Sequence, residues 1–295
     1  MDRTKAGAGL IACVLLCGCS HSNADRAIRV GSKNFTEQVV LGEIVAQQLE
    51  HKLHRPVDRR LNLGGTLLAH QALTGGEIDL YPEYTGTALT AILKESPAAM
   101  DTAAVLARVR SEYRSRYQVA WLDPLGIDNG FAMVVRGPEA HRLQLESLSD
   151  AAGVKQEWTL GAGYEFEQRP DGLAALTNTY HLRFSSAPKS MDLGLLYRAI
   201  ENQQVNMIAA NATDGLLSKM DLKVLADDRH AFPPYQVAIA VREDSLRKIP
   251  GLEPALRELS NKFTNQKMQK LNYEVDVEHR SASQVAAEFL KEQGM

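Results

Sequence analysis

Tyr81 and Tyr84 lie three residues apart around Pro82 and Glu83, and the chain then runs into Thr85-Gly86-Thr87. The sequence is only 6% aromatic, so a tyrosine pair on a stretch too broken by Pro and Gly for a regular helix needs a reason. A ring at the end of a strand can hold a cation against its face, worth about 0.5–2 kcal/mol once water is excluded. Other suitable residues recur directly after strand-like segments: Lys33, Thr87, Asn129, Phe131, Arg169 in "EQRPDG", Asn211 in "AANATDG", and Tyr235 after Pro233-Pro234. Ring faces suit a quaternary ammonium, while Lys and Arg suit a carboxylate. The set fits a zwitterion that carries both. Gly64-Gly65-Thr66 opens a helix, where free backbone N–H groups favour an anion. Tyr81 reads as packing, Tyr164 and Tyr197 as core or surface, and Asp214 as a helix cap or a brace for a crossing segment.

These residues need a frame that brings loops together. "AIRVGSK" alternates apolar and polar residues, and "TEQVVLGEIVAQQLEHKL" repeats apolar residues at helical spacing. "PVDRRLNL" reads as a second strand, "GTLLAHQALTGG" as a helix, and "EIDLYPEY" as a third strand running into a loop. That β-α-β-α-β order predicts an open parallel sheet with loops at the carboxyl ends of its strands. A helix over "MDTAAVLARVRSEYRSRY" follows, then two strand-like segments in "VAWLDPLGIDNGFAMVVR". A second α/β unit comes next, and after it "FPPYQVAIAVRED" and two closing helices. Two units without a flexible linker predict two lobes, joined by crossing strands, with a ligand held between them.

The first residues read as a targeting segment. Arg3 and Lys5 precede an apolar run over 6–16, too short to span a bilayer, that ends in Leu16-Cys17-Gly18-Cys19. The pattern resembles a bacterial lipobox with Cys19 acylated, which makes 1–18 the signal and 19–26 a tether. All three cysteines fall in or beside that segment. The remainder therefore has no disulfide, thiol nucleophile or thiolate metal site, and it is long enough for two domains. A net charge of −3 without a Lys/Arg cluster argues against nucleic acid. There is no HExxH, GxSxG or phosphate-binding glycine loop, and the "GAGYEF" glycines lack the third of a dinucleotide fingerprint. His51 and His54 read as solvated.

Seven stretches together carry a resemblance: "VGSKNFTEQVVLGEI", "LGGTLLAHQAL", "GEIDLYPEYTGTAL", "RPDGL", "ATDG", "FPPYQVAIAV" and "LNYEVDVE". In this order they resemble the substrate-binding proteins of osmoprotectant ABC importers, which take glycine betaine, choline, carnitine or proline betaine. The resemblance runs from about Ile28 to Gly294. It implies a type II periplasmic-binding-protein fold of two α/β lobes joined by two crossing strands, with no catalysis and no cofactor. It places 27–127 with 232–295 in one lobe and 128–231 in the other. Tyr84 and Tyr235 match two walls of the family's tyrosine box, and Phe131 takes a third position without the hydroxyl. Asn211 falls where a fourth tyrosine often sits, and Asn129 where some members have an aspartate. Lys33, Thr87 and Arg169 match the carboxylate clamp. The implied partners are a quaternary-amine ligand, a permease with a cytoplasmic ATPase, and the membrane through the lipid alone, the chain being a monomer. Alternatives are a receptor for ergothioneine or another amine or amino acid, and an exported enzyme or sensory subunit on this scaffold.

Overall fold

The computed structural model describes residues 27–96 and 100–295; the signal, Cys19 and the tether lie outside them. The described residues contain ten strands: β1 (Ile28–Gly31), β2 (Val57–Arg60), β3 (Leu80–Tyr84), β4 (Val119–Trp121), β5 (Phe131–Arg136), β6 (Leu160–Ala162), β7 (Lys189–Ser190), β8 (Met207–Asn211), β9 (Leu222–Val224) and β10 (Val237–Arg242). They form two five-stranded sheets, β2-β1-β3-β10-β4 and β7-β6-β8-β5-β9. β1 runs parallel to β2 and β3, as the β-α-β-α-β reading requires, but β10 is antiparallel to both β3 and β4. The second sheet repeats the plan: β6 is parallel to β7 and β8, and β5 is antiparallel to β8 and β9. The sheets are therefore mixed. Each acquires an antiparallel member because the chain re-enters it from the other lobe.

Burial explains the elements. β3 is buried throughout, as is most of β10, so both read as continuous apolar strands rather than alternating ones. The helix Thr36–Leu53 buries Val40, Leu41, Ile44, Val45 and Leu49 against the first sheet, at helical spacing. It ends at His54, whose φ of 50° closes it in the left-handed region. The opposite face of that sheet is covered by the helices Thr66–Thr74 and Thr102–Tyr117. In the second lobe Trp158 is fully buried, and its indole N–H donates to the Ala151 carbonyl at 3.0 Å.

One local expectation is corrected, and one motif is placed. The segment after β3 is not a loop: Thr85–Thr87 and Ala88–Ile92 continue as helical turns, the latter with π-type pairing. "LNYEVDVE" lies on a helix, Asn265–Asp276, that packs the second lobe's Gly215 against its backbone. Glycine is required at both contacts. A Cβ on Gly215 would lie 2.5 Å from the Tyr273 nitrogen, and one on Gly86 would lie 2.7 Å from the Tyr235 ring and 2.8 Å from the Pro234 carbonyl oxygen. The glycine of the Thr-Gly-Thr motif thus makes room for a ring from the other end of the chain.

Gly86→Ala should cost about 1–3 kcal/mol through overpacking. Reversible urea unfolding will read this as a lower midpoint with an unchanged slope.

Candidate ligand-binding site

The segments after β1, β3, β6 and β8, together with the crossing segments, line one cavity of about 910 Å3. Lys33, Tyr84, Thr87, Asn129, Phe131, Arg169, Asn211 and Tyr235 all face it. Tyr81 does not: it is fully buried, and its hydroxyl donates to Glu83 at 2.7 Å.

Each of the two cations meets an acid at once. Lys33 Nζ lies 2.6 Å from Glu83 Oε1, with both side chains almost fully buried, and 4.8 Å from the centroid of the Tyr84 ring. Arg169 donates from Nε to Asp171 Oδ1 at 2.9 Å and from Nη2 to the other carboxylate oxygen, a two-toothed pair. Its guanidinium lies 5.0 Å from the Phe131 ring centroid and 5.8 Å from that of Tyr235. The Tyr235 hydroxyl donates to Asp171 at 2.6 Å. Burial pushes the Asp171 carboxyl up, but Arg169 and Tyr235 outweigh it and hold the group below its ordinary value. The expectation of two cations free to clamp a carboxylate is therefore modified. They are compensated, and only their remaining N–H groups face a ligand.

The Tyr84 ring is fixed from behind. Its hydroxyl donates to Glu37 Oε1 at 2.8 Å, and its ring stacks on Phe35 with centroids 6.1 Å apart. Asn129 Nδ2 donates to the same oxygen at 2.9 Å, and the Thr213 hydroxyl donates to the other. Glu37 begins the helix Thr36–Leu53, where the helix dipole favours a negative charge. Burial nevertheless raises its pKa above the ordinary carboxylate value, against four side-chain hydrogen bonds that lower it. Where Asn129 takes the place of an acid, Glu37 supplies one beside it.

Asn211 does not replace a ring. Its side-chain amide and backbone N–H both donate to Asp214, at 3.3 and 3.1 Å, and the Tyr197 hydroxyl donates to Asp214 at 2.9 Å. Asp214 braces the end of β8 and makes no side-chain cap on the turn Gly215–Ser218. Burial lifts its pKa to about 6. The anion position at Gly64-Gly65-Thr66 is taken by the protein's own Glu165, which accepts from the Thr66 N–H at 2.5 Å and from its hydroxyl at 2.9 Å. Sequence reasoning missed Phe35, Glu37, Glu165 and Asn272 as lining residues and left Tyr164 and Tyr197 to core or surface, yet all six face the cavity. Phe35, Glu37 and Asn272 stood in quoted motifs and were the findable ones.

Residues 26–292 match the family model described as the substrate binding domain of ABC-type glycine betaine transport systems. The chain belongs to that family. It is 34% identical over 276 residues to the carnitine transport binding protein OpuCC of Listeria monocytogenes, covering 93% of this chain and 89% of that one. It is also 34% identical over 272 residues, 92% of this chain, to the ergothioneine transport permease/binding protein EgtU of Helicobacter pylori, but spans only 48% of that protein's length. A crystal structure of a glycine betaine/carnitine/choline ABC transporter protein superimposes with a TM-score of 0.76 at 29% identity, covering 90% of this chain and 98% of its own. The protein is a substrate-binding protein of an ABC transport system, with the two-lobed type II periplasmic-binding fold. No helix of the described residues is long and apolar enough to cross a membrane.

Two acids of the site should titrate with opposite sign. Asp171, lowered in the native state, contributes stability that is present above about pH 4 and lost as pH falls through its native pKa. Asp214, raised to about 6, contributes stability that is complete below about pH 4 and lost as pH rises through 6. Urea unfolding across pH 3–8 should therefore show the gap between wild type and Asp171→Asn shrinking at acid pH. The gap for Asp214→Asn should instead move in the variant's favour by roughly 1–2 kcal/mol between about pH 4 and pH 7.

Proposed function

We propose that the chain is a lipid-anchored extracytoplasmic receptor that captures a quaternary-amine zwitterion and delivers it to a membrane permease with a cytoplasmic ATPase. One observation carries the reading: Tyr84, Phe131 and Tyr235 meet in a buried cavity with two cations, each already neutralised by its own carboxylate. A net anion would bring uncompensated charge into that cavity, whereas a zwitterion adds none. The ammonium rests among the ring faces, and Lys33, Thr87 and Arg169 take the carboxylate through donors their own acids leave over. Asn129, which shares Glu37 with Tyr84, and Asn211, opposite Phe131, complete the lining. Glycine betaine and carnitine are zwitterions of this class, and choline shares their quaternary head without the carboxylate.

A second reading is favoured by size. Pockets that hold drug-sized molecules run from roughly 300 to 1,000 Å3, and this cavity, at about 910 Å3, exceeds the needs of the smallest betaines. Ergothioneine, a trimethylated histidine derivative, suits it as a larger member of the class. In this proposal 27–127 with 232–295 form the first lobe and 128–231 the second, ligand closure brings them together, and the monomer is held to the membrane through Cys19. Its role is that of a receptor and not of a catalyst.

Calorimetric titration with glycine betaine, choline, carnitine and ergothioneine tests the reading: at least one should bind with one-to-one stoichiometry. Tyr84→Ala and Tyr235→Ala should each weaken that ligand about 3- to 30-fold while keeping cooperative melting. If none of the four binds, or both variants bind as wild type does, the assignment fails. Replacing Cys19 by Ala should move the protein from the membrane fraction to the soluble one, which fractionation and immunoblotting will show.

A further inference from the structure

The helix Thr66–Thr74 opens with nothing of its own to receive its free N–H groups. Gly65 before it has no side chain to serve as a cap, and its first turn holds no acid. The group that meets this end comes from the other lobe. Glu165 Oε1 accepts from the Thr66 N–H at 2.5 Å, and Oε2 accepts from the Thr66 hydroxyl at 2.9 Å. That hydroxyl in turn accepts from Lys33 Nζ at 3.3 Å, and Arg169 Nη1 lies 3.4 Å from Glu165 Oε2. Gly65 makes the approach possible, since a Cβ there would lie 2.5 Å from Glu165 Oε1. The place is built for a carboxylate, and it shares the cations that a ligand's carboxylate would need.

Glu165 differs from the other acids of the clamp. Glu83 and Asp171 are buried, whereas the Glu165 side chain is 42% exposed, lines the cavity and stands on the short helix Tyr164–Gln168. Leaving Thr66 would return it to water. Burial raises its pKa, but Lys33, the Thr66 N–H, Arg169 and the Thr66 hydroxyl outweigh this and hold the carboxyl below its ordinary value. Three carboxylates thus stand around two cations, Lys33 and Arg169. A ligand's carboxylate would be one more. We propose that Glu165 is a specificity-determining residue that stands in for the ligand's carboxylate: it bridges the lobes through Thr66 when the ligand has none and yields when the ligand brings one. It therefore shifts selection toward quaternary amines without a carboxylate and away from betaines. The proposal rests on the receptor reading above and grades the ligands within its class. Its sign is the same whether the free lobes are open or closed. From a closed state a betaine must break the Glu165–Thr66 contact and choline need not. From an open state choline gains that contact on closure and a betaine does not. Either way the contact moves the two affinities apart by the same factor.

Calorimetry on the full chain with glycine betaine, carnitine and choline tests this in the wild type, Glu165→Ala and Glu165→Gln. The wild type should bind choline. In Glu165→Ala the dissociation constant of each betaine, divided by that of choline, should fall at least about fivefold, the effect expected of a lost hydrogen bond to a charged group. Glu165→Gln keeps the size, removes the charge and carries the same test where the alanine variant does not fold. A general loss of packing would weaken all three ligands alike and leave the ratio where it was. An unchanged or increased ratio overturns the proposal and leaves the receptor reading intact, because the ligands still bind. So does a wild type that binds the betaines and not choline. A wild type that binds choline alone supports the proposal if Glu165→Ala gains a betaine and overturns it otherwise. Binding of none of the three overturns the proposal, and the receptor reading falls with it only if ergothioneine is not bound either.

Discussion

A cation can remain inside an aromatic cleft only if something nearby offsets its lost hydration. This protein answers that constraint twice with the same three parts. Lys33 lies over a ring, pairs with Glu83, and Glu83 accepts a hydroxyl from Tyr81. Arg169 lies over two rings, pairs with Asp171, and Asp171 accepts a hydroxyl from Tyr235. One unit is built on β1 and β3 of the first sheet. The other hangs on the loop after the helix Tyr164–Gln168 and the segment entering β10. The rings, the glycine at 86 that admits Tyr235, and the buried tyrosine hydroxyls all follow from the need to hold two charges in place with little water.

The same carboxylate chemistry joins the lobes. Glu37 begins a helix of the first lobe and accepts from Thr213 beyond β8; Glu165 begins in the second lobe and accepts from Thr66 in the first. Asn272 donates across the same divide to the Thr213 carbonyl. Closure is thus partly satisfied by the chain's own groups. A ligand moves the balance only through what it gains in the closed state over the open one, so contacts that two lobes make to it at once count most. The cage spans such a divide: Tyr84 comes from the first sheet, Phe131 from the second, and Tyr235 from the segment that crosses between them.

Much of this was legible. Strand order through β3, the helix Thr36–Leu53 and the gathering of eight residues at strand ends and in the segments between elements around one cavity follow from periodicity, from the position of the segments after strands and from the resemblance. The mixed pairing of β10 was not, because an apolar strand carries no mark of its direction. The helical turns after β3 were hidden by Gly86, which normally argues against helix but here serves the Tyr235 contact. The helix Asn265–Asp276 has polar residues over most of its surface, so its apolar positions Met268 and Leu271 gave too narrow a stripe to recognise.

The acids were the larger omission, and the reason is physical. Lys, Arg and aromatic residues declare a ligand's chemistry by type, whereas a carboxylate declares nothing until its neighbours are known. Glu83 and Asp171 each have a cation that offsets their charge; Glu37 and Asp214 have none among the described residues, and burial raises both pKa values, which disfavours their charged forms. From sequence the four are equivalent. In the fold two of them pair with Lys33 and Arg169, and two are met by neutral donors. A carboxylate's part in the cavity is therefore decided by its neighbours and not by its residue type.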